Sequence, residues 1–214
     1  MYENRQSAGK LLAEKLKRLQ NEGKITDPVV VALPRGGIPV GVEIAKALNA
    51  PLDLLFVKKI PAPDNEELAI GSVSENGIVF LNQEMVERFG VDENYLQEKG
   101  IEKIQEMARL SDKYKHEPIP LEGKDVILVD DGIATGASMY LAAQSIARDL
   151  PRTIIIAAPV APNDENVLNM LKSVSHHLEI LETPNMFMSV GKWYDDFHQL
   201  SDKEVKELLE EVKN

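Results

Sequence analysis

Three stretches of this chain are apolar without a break: Val29–Leu33 in "PVVVAL", Val126–Val129 in "VILV", and Ile154–Ala161 in "IIIAAPVA". A strand with one face in water alternates polar and apolar side chains. Unbroken runs are buried on both faces, as in a parallel sheet covered by helices. Helical patterns sit between the runs. "IPVGVEIAKALN" (38–49) follows the turn "PRGG" (34–37), an alanine-rich helix extends to about residue 149, and another covers 164–173. The fold class is therefore α/β, with a Rossmann-like parallel sheet core flanked by helices.

The rest of the chain fits around this core. Leu11, Leu12, Leu16 and Leu19 predict an amphipathic helix over 5–22. "PLDLLFVKKI" (51–60) and "HLEILET" (177–183) read as further strands, and residues 61–67 as a polar loop. "ENG" supplies turn chemistry for a hairpin over 67–82. Residues 83–115 are helical and rich in charge, and 184–200 have no clear period. A helix over 201–213 starts at Ser201, with Glu204 closing a capping box.

In open parallel sheets ligands bind beyond the carboxyl ends of the strands. "PRGG", "KKI" and "DDGIATGAS" all fall at such ends. In the last of these, the amides of residues 134–138 lie in a loop and a first helical turn, where they lack helix partners and suit a phosphate. Ala134 and Gly136 permit close approach, and Thr135 and Ser138 add hydroxyls. Asp130 and Asp131 would repel the same phosphate. They suit sugar hydroxyls, or a divalent cation shared with a second phosphate. The ligand asked for carries a phosphate at one end and a hydroxylated ring beside it.

Composition narrows the classes. The chain has 214 residues and no cysteine, which excludes disulfides, thiolate zinc sites and a cysteine nucleophile. A net charge of −11 disfavours a nucleic-acid partner. No apolar run is long enough to span a membrane and no signal peptide is recognisable, so no membrane partner and a cytoplasmic location are expected. His116, His176 and His177 have no metal-ligand spacing and read as structural.

"VILVDDGIATGAS" resembles the phosphoribosyl-pyrophosphate (PRPP) binding motif of type I phosphoribosyltransferases, and "ALPRGGIPVG" resembles the pyrophosphate loop of that family. The resemblance implies a single type I domain across the chain, with a core over about 25–183, a helical insert over 83–115, and a small C-terminal hood over 184–200 plus the last helix. It implies transfer of the 5-phosphoribosyl group of PRPP to a nitrogen nucleophile, a small-molecule base, with Mg²⁺ as cofactor. Gly132, Ile133, Ala134, Thr135, Gly136, Ala137 and Ser138 would hold the 5′-phosphate. Asp130 and Asp131 would hold the ribose hydroxyls near the metal, with the Asp131 carboxylate facing the ligand rather than the core. Pro34, Arg35, Gly36, Gly37 and Lys58 would take the pyrophosphate, with a cis peptide between Pro34 and Arg35. Asp130, Asp131, Arg35 and Lys59 would form the catalytic set. Residues 60–76 would match the flexible loop over the reacting centre, and Phe187, Trp193 and Tyr194 would line the base pocket.

The charge of the insert fits either a solvated face or an oligomer contact, such as a homodimer. Alanine stands at 134, where purine-using members often carry an acid, so a general acid/base is missing there. That leaves an alternative: a catalytically weak regulatory homologue that binds PRPP or nucleotides. A phosphatase or phosphoacceptor reading of "DD" lacks its D-x-D-x-T/V signature.

Overall fold

The elements follow the order α1 (Arg5–Asn21), β1 (Pro28–Ala32), α2 (Gly37–Leu48), β2 (Leu52–Leu54), β3 (Val57–Ala62), β4 (Asn65–Ser74), β5 (Val79–Leu81), α3 (Gln83–Arg88), α4 (Glu93–Tyr114), β6 (Asp125–Val129), α5 (Ala137–Ala147), β7 (Thr153–Val160), α6 (Glu165–Lys172), β8 (His177–Glu182) and α7 (Asp202–Glu210). The computed structural model describes residues 1–114 and 118–212, so His116 lies outside the described residues. No helix among them is long and apolar enough to cross a membrane.

Five strands form one parallel sheet in the order β2-β1-β6-β7-β8. Its three unbroken apolar runs are the three central strands. Alternate side chains enter two cores, one on each face. Val30, Ala32, Ile127, Val129 and Ile155 pack with residues of α1, α2, α4 and α7. Val29, Val31, Val126, Leu128 and Ile156 pack with α5 and α6. Both faces are covered, as continuous runs require.

The predicted strand over 51–60 is two strands. β2 is the edge of the parallel sheet, and the chain then leaves it to begin an antiparallel sheet ordered β3-β4-β5. The change of sheet falls at Leu55 and Phe56, which are buried in opposite cores. The residues read as a polar loop, 61–67, are largely strand, since β3 runs to Ala62 and β4 starts at Asn65, with Pro61 at a shift in strand register. Proline can sit there because it has no amide to lose from a ladder. The "ENG" turn falls where expected, between β4 and β5. In α1 the buried face is Arg5, Ala8, Gly9, Leu12, Ala13 and Leu16, while Leu11 is exposed.

A buried carboxylate ties the amino ends of the strands together. Asp125 is fully buried and accepts from the amides of Thr26 (2.7 Å) and Asp27 (3.2 Å), from Thr153 Oγ1 (2.7 Å) and from Arg152 Nε (2.8 Å). Burial would raise its pKa, but Arg152 and these donors outweigh burial and hold it at about 2. The folded pKa is thus depressed. The stabilisation is present above the ordinary carboxylate range and is lost as pH falls through about 2. Asp125→Ala strands several donors. It should cost about 2–4 kcal/mol at pH 7 in urea unfolding, with the deficit shrinking on acidification. An equal deficit at pH 7 and in acid would rule this account out.

Candidate active site

β6 ends at Val129 and delivers Asp130 and Asp131 to the carboxyl edge of the sheet. β1 ends beside it and delivers Pro34–Gly37, with the Pro34–Arg35 peptide cis. The two loops touch. A Cβ added at Gly36 would lie 2.5 Å from Asp131 Cγ, so only glycine lets the turn lie against that carboxylate.

Between them opens a cleft of about 550 Å³, lined by Arg5, Pro34, Arg35, Gly36, Phe56, Val57, Lys58, Leu110, Tyr114, Asp130, Asp131, Gln199 and Leu200. The cleft gathers most of the expected pyrophosphate loop, both acids and Lys58. It does not include Lys59, which is exposed and pairs in register with Ser72 in the antiparallel sheet. Neighbouring strand residues point to opposite faces, so Lys58 and Lys59 cannot both serve the cleft.

Beyond the acid pair, Ile133 is buried and its amide donates to Val160 O (2.8 Å), which pins the loop to β7. Gly136 takes φ +77°, a left-handed turn that lets α5 start at Ala137, and α5 has no side-chain cap. Among the described residues, the amides of 134–138 have no protein acceptor. Ala134 and Thr135 are exposed, and Ala137 and Ser138 are partly so.

The sequence reading missed Arg5. Its Nε donates to Asp131 Oδ2 (2.7 Å), Nη1 donates to His198 O (3.0 Å), and the guanidinium lies 3.8 Å from the centre of the Phe197 ring. Asp131 is therefore both a cleft residue and half of a buried ion pair. This corrects the expectation that its carboxylate faces only a ligand. Tyr194 OH donates to the carbonyl of Asp131 at 2.5 Å.

Burial drives the Asp131 pKa up, and Arg5 opposes the rise. Asp130 accepts the Asp131 amide (2.8 Å), and its pKa is driven well up, first by burial and then by the charge of Asp131. A raised folded pKa means stability is present below the unfolded value and is lost as pH rises through the folded one. Asp130→Asn cannot ionise and keeps an oxygen for the Asp131 amide. It should gain about 1 kcal/mol over the wild type in urea at pH 7, and the gain should vanish at acid pH. A variant less stable than wild type at neutral pH would show that the site does not strain this carboxylate.

The three aromatics expected in the base pocket are not in the cleft. Tyr194 is buried in a cluster with Tyr2 and Phe197, and Trp193 packs at its edge. Phe187 is half-buried on the segment 184–189, between the exposed Met186 and Met188. The cluster lies under the start of α1 rather than under α7, because Tyr2 joins it, with its amide on Trp193 O (2.8 Å) and its hydroxyl on Pro159 O (2.9 Å). The aromatic rings that line the cleft are Phe56 and Tyr114, stacked at 6.3 Å. Tyr114 and Leu110 sit one turn apart on α4, so the helical insert forms a wall of the site.

Arg35 is held by the C-terminal segment. Nη1 donates to Leu200 O (2.8 Å), and Nη2 pairs with Asp202 Oδ1 (3.0 Å). Asp202 also takes Lys113 and the Tyr114 hydroxyl (3.1 Å), so one carboxylate joins the Pro34–Gly37 turn, α4 and α7. The predicted capping box is present, with Ser201 and Glu204 bonding each other's backbone.

No group of three or more His, Cys, Asp or Glu side chains among the described residues is placed to hold a metal by itself. A carboxylate pair fits Mg²⁺ nonetheless, because that ion binds through one or two carboxylates plus substrate phosphates rather than in an all-protein cage. Asp130 fits best, since burial and the neighbouring Asp131 charge both strain its carboxylate and no cation among the described residues is bonded to it.

Residues 1–171 match the phosphoribosyl transferase domain. Two curated Mycobacterium tuberculosis proteins, MT0597 and Rv0571c, each carrying the name "Putative phosphoribosyl transferase", are 35% identical over 212 residues, covering 98% of this chain and 46% of theirs. The chain thus spans about half the length of the curated relatives it matches. The crystal structure of TT1426 from Thermus thermophilus is 35% identical and superposes with a TM-score of 0.80, covering 100% of both chains.

Proposed function

This chain belongs to the phosphoribosyl transferase domain family, and from that premise we propose that it transfers the 5-phosphoribosyl group of PRPP to a nitrogen nucleophile, with Mg²⁺ as cofactor and a small-molecule base as acceptor. The observation that carries this reading is the run of unpaired amides at 134–138, set directly after the acid pair. It offers phosphate donors and ribose acceptors in the order that PRPP presents its groups.

In the transfer, the acceptor nitrogen forms a bond to C1 of the ribose. The bond from C1 to the pyrophosphate oxygen breaks, pyrophosphate keeps the electron pair, and the nitrogen gives up its proton to the departing pyrophosphate or to water. The amides of 134–138 hold the 5′-phosphate, and Asp130 and Asp131 orient the ribose hydroxyls. Arg35, Lys58 and the amide of Gly36 take the pyrophosphate as its charge grows, while the Gly37 amide is held by Leu33 O (2.9 Å). Gly37 starts α2 and lies against Val129 O and Asp130, which keeps this turn close to the acids. Bound at Asp130 and Asp131, Mg²⁺ would supply positive charge to the leaving oxygens. Such a site works by position and charge balance.

Ala134 favours a second reading, a homologue that binds PRPP and turns it over weakly, because it offers no acid beside the ring position. Calorimetric titration with PRPP and Mg²⁺, followed by pyrophosphate release over a panel of bases, separates the readings. Binding with release supports the transferase, and binding without release supports the regulator. No binding at millimolar PRPP rejects both.

A further inference from the structure

Asp202 opens α7, and its place is set by the capping box of Ser201 and Glu204. The positive end of a helix also favours a carboxylate there. From that place its two oxygens reach three donors on two other segments. Oδ1 takes Arg35 Nη2 (3.0 Å) and the Tyr114 hydroxyl (3.1 Å), and Oδ2 takes Lys113. Two residues earlier, the carbonyl of Leu200 takes Arg35 Nη1 (2.8 Å). Arg35 still lines the cleft, together with Asp130, Asp131 and Lys58. The bonds to Leu200 and Asp202 use two of the five N–H groups of its guanidinium, and Nε is in neither. The side chain is thus aligned before any ligand arrives. A long cation that is free in solvent loses rotamer entropy when it grips an anion, and one already tethered loses less.

Resting on the phosphoribosyl-transfer reading, in which Arg35 takes the pyrophosphate, we infer that Asp202 is a positioning residue for the reaction: it holds the Arg35 guanidinium in the orientation that grips the pyrophosphate of PRPP. Charge alone gives the opposite expectation. A carboxylate near a polyanion repels it, so deletion of Asp202 would tighten PRPP binding if only Coulomb attraction and repulsion counted. Positioning makes PRPP bind more weakly once Asp202 is gone. Ribose 5-phosphate, which has the 5′-phosphate and the ribose hydroxyls but no pyrophosphate, is then indifferent to the loss.

The test uses the full chain with Mg²⁺ and measures by calorimetry how much more tightly PRPP binds than ribose 5-phosphate. Asp202→Ala should reduce that ratio about tenfold and leave ribose 5-phosphate affinity near wild type. Asp202→Asn keeps an oxygen for Arg35 and should fall between. Lys113→Ala loosens the same junction of α4 and α7 without touching Arg35, and should keep the ratio. In an Arg35→Met background Asp202→Ala should change nothing further, because its effect passes through the guanidinium. The inference is overturned if Asp202→Ala tightens PRPP or keeps the ratio, if it weakens both ligands equally, or if its loss persists in the Arg35→Met background. A loss in Lys113→Ala as large as in Asp202→Ala would assign the effect to the helix junction and overturn it as well. If Arg35→Met itself keeps the wild-type ratio, the pyrophosphate role of Arg35 falls, and the positioning role with it. Failure of the wild type to bind PRPP or ribose 5-phosphate at all would remove the underlying reading, and this inference with it.

Discussion

Gly36→Ala should lower PRPP affinity or turnover at least about 100-fold, a loss typical of an ångström-scale displacement in a positioned site. Gly36 has φ −59° and ψ −37°, where alanine is at ease, so the backbone is not the obstacle. The obstacle is the Asp131 carboxylate, whose space the new methyl would need. Asp131 cannot simply swing aside, because Arg5 holds its Oδ2 and Tyr194 holds its carbonyl. Either the acid leaves its place or the Pro34–Gly37 turn lifts from it. Both outcomes separate the groups proposed to act on one PRPP molecule. Circular dichroism should show intact secondary structure alongside the lost binding. Near-normal binding by a folded variant would mean that the contact between the two loops is incidental.

The second large effect concerns stability. Arg5→Met keeps much of the apolar stem over Phe197 and removes the charge. It leaves Asp131 buried without its cation, beside Asp130. Breaking such a pair costs about 3–5 kcal/mol. The direction with pH follows from the carboxylate. Burial already raises the Asp131 pKa, and loss of Arg5 raises it further. A raised folded pKa gives stability that is present below the unfolded value and is lost as pH rises through the folded one. The deficit of Arg5→Met should be greatest near neutral pH and should narrow as the medium approaches the ordinary aspartate range, near about 4. Urea midpoints at neutral and mildly acid pH decide this. A deficit independent of pH would assign Arg5 a packing role only. Arg5→Lys should rescue poorly, since one ammonium cannot reproduce the fork that serves both Asp131 and the carbonyl of His198.

What the sequence reveals about this protein depends on how local each feature is. The central strands, the loop after Asp131 and the Ser201 box are set by neighbours within a few residues, and each lies where its pattern places it. The break at Leu55 and Phe56 leaves no local trace. Both residues are apolar in either arrangement, and only the competing sheets decide where one strand ends. The aromatics of 184–198 look like a ring-binding wall by composition. Their placement follows from Tyr2, whose backbone and hydroxyl reach Trp193 and Pro159. Arg5 did leave a signal. It shares the helical face of Ala8, Leu12 and Leu16, and an arginine on a buried face needs a partner. Leu11 and Leu19 drew the pattern round to a different face, and Leu11 proves to be exposed.

The Arg5 contacts also bear on how the site comes into being during synthesis. Asp131 leaves the ribosome 126 positions after Arg5. The carbonyl of His198, which holds the second arm of the guanidinium, comes 193 positions after Arg5. Such distant closures are made late, after the local elements and the central sheet. A nascent chain that has made the loop after Asp131 therefore still lacks the second contact of the clasp on that acid. The complete clasp, with both arms of the guanidinium engaged, can close only once His198 has emerged, and the Arg5–Asp131 pair alone can form before it.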